Sequence, residues 1–371
     1  MRVGPKVIFP KTKITDHFYV IGTNSMTTSN IPTAEKQKVG LLSRIKGKIE
    51  PNKSRVIFIG ASGFGLSCLK MMKESSLYSL VGVITAPEIF SISYRPEGVK
   101  NVLYANIKNY CDLNRINCLT ISKGMKDGEL LNRVKDLEPD IFIVVGWYHM
   151  IPPNWIEIAP FYGLHASLLP DYSGGAPLVW AIINGEKKTG ITLFQIANGV
   201  DNGPILGQLA TNISSEDTIR TVYDRIELLG LDLLNKHLPE ICDGSVKLTI
   251  QEENQRRIFP QRGPKDGKID WSIPSNKIYD FVRAQTKPYP GAFSKHGNDK
   301  VTIWSCRIDH EMTEKPLAPS EIKETSKRIL VGCGQGSALE ILEIAVNDKD
   351  TSAYDWWRKN IDTEKNSKFQ M

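Results

Sequence analysis

The spacing of apolar and polar positions changes character twice along the chain. Up to about residue 53 there is little periodicity, only Lys, Ser, Thr and Pro mixed with isolated apolar residues. From Arg55 the run Val56-Ile57-Phe58-Ile59 leads into Gly60-Ala61-Ser62-Gly63-Phe64-Gly65 and then into helical spacing over 66–75. Strand, glycine turn and helix in that order open a doubly wound domain. The same reading predicts strands over 80–85, 140–145, 162–165 and 190–196, with helices over 104–113, 128–137 and 177–184. A long helix follows from 215 to about 241, with Ser214 or Ser215 as its cap and Glu216 and Asp217 suited to its positive end. After 250 the pattern becomes short strands, 300–308, 328–333 and 338–345, separated by Pro, Gly and Asp-Gly, which predicts a small antiparallel barrel or sandwich. The expected fold is therefore α/β, a doubly wound, mostly parallel sheet over 54–250, followed by a small antiparallel barrel or sandwich over 251–371.

Composition narrows the class. With 371 residues and 41% hydrophobic content the chain can bury more than one core. No apolar run approaches the roughly 20 residues that span a bilayer, and the start lacks the apolar core of a secretory signal, so a cytoplasmic protein without a membrane partner is expected. The net charge of +6 is unevenly placed. Residues 1–53 hold 10 Lys and Arg against 3 Asp and Glu, 54–250 hold 17 against 20, and 251–371 hold 20 against 18. The basicity thus belongs to a tail expected to be disordered, and the folded body offers no broad footprint for a polynucleotide. A targeting presequence is the other reading of that tail: its few acids suit one, its few arginines do not. The 6 cysteines are scattered with no C-x-x-C pair, so free thiols are expected, with neither a disulfide framework nor a metal site.

Two motifs compete for the chemistry. The glycine turn at 60–65 invites a dinucleotide reading, but the second strand ends in apolar Val83 and Ile84 where a ribose-binding acid is needed. Tyr104 and Lys108, spaced as a dehydrogenase dyad, follow the turn too closely. The glycines are better read as close packing of helix on strand. His17, His237, His296 and His310 have no chemical context and read as solvated or structural. His165 does have one. It closes a strand, precedes the turn Ser167-Leu168-Leu169-Pro170, and is answered by Asp201 in the glycine-flanked turn Gly199-Val200-Asp201-Asn202-Gly203. Flanking glycines let backbone approach a ligand, and two parallel strands are expected to present the pair to one crevice.

These segments resemble the formyltransferases that use 10-formyltetrahydrofolate. That family shares H-x-S-L-L-P, then A-P-x-x-x-A-[IL]-x-x-G-x-x-x-T-G-[IV]-T, then D-x-G; here they are His165 to Pro170, Ala176 to Thr192 and Asp201-Asn202-Gly203. Gly263-Pro264, Asp266-Gly267, Ile269-Asp270-Trp271, Arg283-Ala284 and Pro288-Tyr289-Pro290-Gly291-Ala292-Phe293 are similar to the entry of the family's C-terminal barrel, so the resemblance covers about 54–360. It implies a Rossmann-like sheet followed by a small OB-like β-barrel, and transfer of a formyl group from 10-formyltetrahydrofolate to a primary amine without a metal. His165 would hydrogen-bond the developing oxyanion and shuttle a proton, and Asp201 would orient the imidazole and accept the proton of the amine. The pteridine would lie against the backbone of His149, Met150 and Ile151, of Ser167, Leu168, Leu169 and Pro170, and of Ala197, Asn198, Gly199 and Val200. Among acceptors a nucleotide-linked amino sugar is favoured over methionyl-tRNA: instead of the long basic loop expected of the tRNA enzyme, 86–100 sets Arg95 and Lys100 against Glu88 and Glu97. A hydrolase using water and a non-catalytic folate binder are the rival readings; the oligomeric state, a homodimer included, stays open. Two positions depart from the family: Gly163 replaces an asparagine that helps hold the formyl oxygen, and Ser173 stands where many members have arginine.

Overall fold

A computed structural model describes residues 53–92, 95–311, 316–360 and 367–370. The tail expected over 1–53 lies outside these except for its last residue. Lys53–Met371 forms one compact unit. β1 (Arg55–Gly60) runs through its centre, and its unbroken apolar run is buried on both faces, as a central parallel strand requires. α1 (Gly63–Lys73) starts earlier than its apolar spacing suggests because Ser62 caps it, its Oγ accepting from the Gly65 N–H at 3.1 Å. There follow β2 (Ser79–Thr85), the hairpin β3 (Ile89–Ile92) and β4 (Arg95–Lys100), α2 (Ile107–Leu113), β5 (Cys118–Thr120), α3 (Gly128–Lys135) and β6 (Ile141–Val145). Next come α4 (Pro153–Ile156), β7 (Phe161–His165), β8 (Ser173–Gly174), α5 (Pro177–Ile183), β9 (Lys188–Gln195), β10 (Ile205–Asn212) and α6 (Ile219–Asp243).

The main sheet has the order β10-β9-β7-β6-β1-β2-β5. β5, β2, β1, β6 and β7 are parallel, and the winding reverses between β1 and β6, which opens a crevice beyond the carboxyl ends of those two strands. The glycine turn is used for packing: a Cβ at Gly60 or Gly65 would meet the Val145 carbonyl oxygen at 2.7 or 2.8 Å.

Three expectations are corrected. β9 pairs antiparallel with β7, so the two strands leading to His165 and Asp201 do not run side by side in one direction. α6 begins at Ile219, capped by Thr218, because Asp217 is drawn away to the Ser214 N–H and to the Arg225 guanidinium, both at 2.8 Å. Tyr104 precedes α2, whose cap is Asn106, so Tyr104 and Lys108 do not share a helix face.

The C-terminal part begins with β11 (Ile258–Phe259), which pairs with β8, and α7 (Ser275–Arg283). β12 (Ala292–His296), β13 (Asp299–Asp309), β14 (Ile322–Thr325), β15 (Arg328–Gly332), β16 (Ala338–Val346) and β17 (Lys349–Ser352) form one antiparallel sheet, and α8 (Ala353–Asn360) packs on it. Bridges Lys295 to Gln370 and Glu321 to Lys368 tie residues 367–370 to both outer strands, drawing the sheet toward closure. Trp271, Val301, Ile303, Leu339 and Trp357 belong to its separate core. All six cysteines are free, and among the described residues no helix is long and apolar enough to cross a membrane.

Candidate active site

β7 delivers His165 to the carboxyl edge of the sheet, and the turn after it is pinned from below. Thr192 Oγ1 donates to the Ser167 carbonyl at 2.6 Å and accepts the Leu169 N–H at 3.1 Å, while Gln208 donates to the Leu169 carbonyl at 2.8 Å. The chain therefore returns close to the imidazole, and His165 Nε2 lies 2.8 Å from the Tyr172 carbonyl oxygen. A carbonyl only accepts, so Nε2 carries the proton in that contact and Nδ1 is the nitrogen left to face Asp201.

Asp201 reaches this point by an indirect route. β9 ends beside Phe161, below His165, so the following loop must double back along the sheet face. A Cβ at Gly203 would lie 1.7 Å from the Gln195 carbonyl, and Asp201 itself has φ +49° in the left-handed region. The turn sets Asp201 Oδ2 at 2.8 Å from the Gly174 N–H, from which it accepts, and at 3.6 Å from His165 Nδ1. The two side chains are only 12% and 24% exposed, so solvent screens the interaction between them weakly.

The period of a strand puts Phe161, Gly163 and His165 on one face. Where a side chain at 163 would project, Ile196 from the returning loop fills the space: its Cδ1 is 3.0 Å from the position of a Cβ there. The glycine and the isoleucine are complementary. Ser173, the other departure, is fully buried under β11, and its hydroxyl donates to the Pro170 carbonyl at 3.1 Å.

The residues expected around the donor fall into three groups. His149, Met150 and Ile151 follow β6 at the crevice: Met150 is 64% exposed, whereas the His149 ring lies between Phe90 and Trp147, at 5.1 and 5.3 Å. Burial lowers the His149 pKa, favouring the neutral ring. Leu168 and Pro170 keep partial exposure, but Ser167 and Leu169 are buried within the fold and can offer little beyond backbone. Ala197 is half-buried and Asn198, Gly199 and Val200 are exposed on the doubling loop. Sequence reasoning missed the Gly174 N–H, Ile196, and Gln251, Arg256 and Arg257, which reach the Asp201 and Ser173 loops from far along the chain. Nothing in their spacing signals it.

Residues 54–238 match the family described as formyl transferase, and 263–360 match the formyl transferase C-terminal domain. The chain is 32% identical over 293 residues to a methionyl-tRNA formyltransferase of Caldanaerobacter subterraneus subsp. tengcongensis, covering 78% of this chain and 91% of that one. It is 30% identical over 300 residues to the methionyl-tRNA formyltransferase of Lactobacillus johnsonii, with 80% and 92% covered. Among solved structures it is similar to WlaRD, a sugar 3N-formyl transferase seen with dTDP and 5-N-formyl-THF, with TM-score 0.57, 20% identity and coverage of 78% and 98%. An N-formyltransferase from Helicobacter canadensis with folinic acid and dTDP-3-aminofucose gives 0.55, 18%, 78% and 98%. At these identities the two structures bear on the fold alone.

Proposed function

The chain belongs to the formyl transferase family, and from that premise we propose that it carries the formyl group of 10-formyltetrahydrofolate to the primary amine of a nucleotide-linked amino sugar. The observation that carries the reading is the arrangement of His165, Asp201 and the Gly174 N–H at the edge of the crevice. The neutral amine attacks the formyl carbon on N10, a C–N bond forms, and the carbonyl oxygen becomes an oxyanion. Tyr172 fixes the neutral imidazole through the proton on Nε2, which leaves Nδ1 as the nitrogen open to a proton. Asp201 accepts the proton lost by the amine, and the short gap to Nδ1 lets it pass to the imidazole. The imidazolium so formed hydrogen-bonds the oxyanion through Nδ1–H; on collapse of the intermediate the bond to N10 breaks, and N10 takes that proton from Nδ1 as tetrahydrofolate departs, which restores the neutral ring.

The crevice suits a planar heterocycle with polar edges. Thr85 Oγ1, Trp147 Nε1 and His149 Nε2, at the ends of β2 and β6, are buried without hydrogen-bond partners. For the acceptor, the support is the compact β3–β4 hairpin, in which Glu88 and Lys100 pair at 3.2 Å in place of a long basic loop. The sequence relatives favour methionyl-tRNA instead, which makes it the second reading.

The test offers the full-length protein 10-formyltetrahydrofolate with dTDP-3-aminofucose, with other amino-sugar nucleotides, with initiator methionyl-tRNA, or with water alone, and products are identified by mass spectrometry. An N-formyl sugar is expected. N-formylmethionyl-tRNA as the only product overturns the acceptor assignment, and free formate alone overturns the transferase reading.

A further inference from the structure

The segment between the two sheets does not bypass the active site; it runs across the loops that build it. Thr249 pairs with Ile205 through two backbone hydrogen bonds of 2.7 and 2.8 Å. Gln251 then donates from Nε2 to the Asp201 carbonyl at 2.8 Å and to the Gly203 carbonyl at 2.6 Å. Arg256, its side chain only 9% exposed, donates to the Val200 carbonyl. Further on, the segment zips onto the other side of the site: the Ser173 N–H donates to the Arg257 carbonyl at 3.0 Å and the Gly175 N–H to the Phe259 carbonyl at 2.9 Å. Arg257 binds the Asp171 carboxylate and lies over the Tyr172 ring at 4.8 Å. Tyr172 supplies the carbonyl facing His165 and Gly174 the N–H on Asp201, so one short stretch grips the anchors of both chemical groups.

We infer that Gln251 is a positioning residue that sets the Asp201 carboxylate against His165. The inference rests on the reading of Asp201 as proton acceptor. A non-glycine residue in the left-handed region stays there only where its surroundings over-determine it, and Gln251 captures the carbonyls on both sides of that turn. Its amide can face only one way, since both neighbours are acceptors. The cost is visible: Gln251 Oε1 is left buried without a partner. Without the amide, nothing else on the segment holds the Asp201 carbonyl, and the Gly174 N–H alone is left to hold the carboxylate at its distance from Nδ1. Misplacement by about 1 Å costs on the order of a hundredfold in rate.

The test compares Gln251→Leu, which keeps the length and removes the donor, and Gln251→Glu, which turns an acceptor toward two acceptors, with Asp201→Asn and with the double variant Gln251→Leu/Asp201→Asn. All are made in the full chain and assayed with 10-formyltetrahydrofolate and whichever of dTDP-3-aminofucose and methionyl-tRNA is formylated by the parent. Each Gln251 variant should lower kcat by roughly ten- to a hundredfold while KM for the donor and binding of 5-formyltetrahydrofolate stay within about twofold. The double variant should be no slower than Asp201→Asn, because both changes disable one device. A Gln251→Leu enzyme with parental kcat, or a double variant slowed by the product of the single effects, overturns the inference. Should the Leu variant fail to fold, Gln251→Glu decides by the same criteria. If Asp201→Asn itself turns over at the parental rate, the reading of Asp201 fails first; a slow Asp201→Asn beside an unaffected Gln251→Leu defeats the positioning role alone.

Discussion

Replacing Gly163 with asparagine tests how this site stabilises the oxyanion. Gly163 does not lie in the left-handed region, so its backbone accepts a side chain. The obstacle is Ile196, whose Cδ1 and Cγ1 lie 3.0 and 3.3 Å from the new Cβ, with Phe194 Cε1 at 3.5 Å. Overpacking of this kind costs about 1–3 kcal/mol, so Gly163→Asn alone should lower the melting temperature by several degrees and gain little rate. Ile196→Val removes the nearest atom at a cost of about 0.5–1.5 kcal/mol, and the pair should recover most of the stability. A preorganised amide donor contributes roughly 3 to 4 kcal/mol to an oxyanion transition state. Gly163→Asn/Ile196→Val is therefore expected to transfer formyl about a hundred- to a thousandfold faster in single-turnover assays, with melting followed by scanning fluorimetry. A folded double variant that binds 5-formyltetrahydrofolate and is no faster would refute the reasoning, for it would mean that another group already supplies the hydrogen bond.

Other outcomes follow from the same structure. His165→Ala and Asp201→Asn should each lower turnover by at least about a hundredfold with donor binding nearly unchanged, and near-parental turnover in either would remove that residue from the mechanism. A shortened chain beginning at Lys53 should melt within about 3 °C of the full chain, the shift expected from under 1 kcal/mol, because Lys53–Met371 is a compact unit in its own right; a larger fall would show that the body needs the tail. The Arg225 guanidinium holds the Asp217 carboxyl well below the usual carboxylate range. A depressed folded-state pKa contributes stability above the unfolded value of about 4 and loses it as pH falls through the folded one. Asp217→Asn should thus lower the melting temperature at neutral pH, and the gap to the parent should narrow below about pH 4; a gap independent of pH would contradict the assignment.

Much of the frame was readable from residues alone, for identifiable reasons. β1 and β6 announce themselves because strands buried on both faces must be apolar throughout, and α5 because Pro177 and the apolar spacing after it admit little else. The direction of β9 was not readable, since alternation encodes which side chains face inward and says nothing of polarity along the sheet. The start of α6 escaped for another reason. Ser214, Ser215 and Thr218 are all competent caps, and the choice among them is made by Arg225 and by Arg283, which donates to the Ser214 and Asp217 carbonyls from α7. At the site, His165 and Asp201 stood out by their glycine and proline surroundings. The burial of the Ser167 and Leu169 side chains was not readable, because it is made by Thr192 and Gln208, which turn that loop inward from far along the chain. Gln251 carries no local signature, because its partners lie 50 and 48 positions away.

The segment that crosses the active-site loops also bears on when during synthesis the enzyme becomes competent. A nascent chain that has emerged as far as residue 250 already contains β1 to β10, His165 and Asp201, at a stage when chains generally begin to fold during synthesis. It nevertheless lacks every hydrogen bond made by Gln251, Arg256 and Arg257. Closing the loops that bring Gln251 to Asp201 and Arg257 to Asp171, 50 and 86 positions apart, differs in entropic cost by only roughly 0.5 kcal/mol, so neither end of the segment has to wait long for the other once both exist. The chemical pair is thus translated early and secured late, and formyl transfer is expected to reach its full rate only after the chain has run past β11.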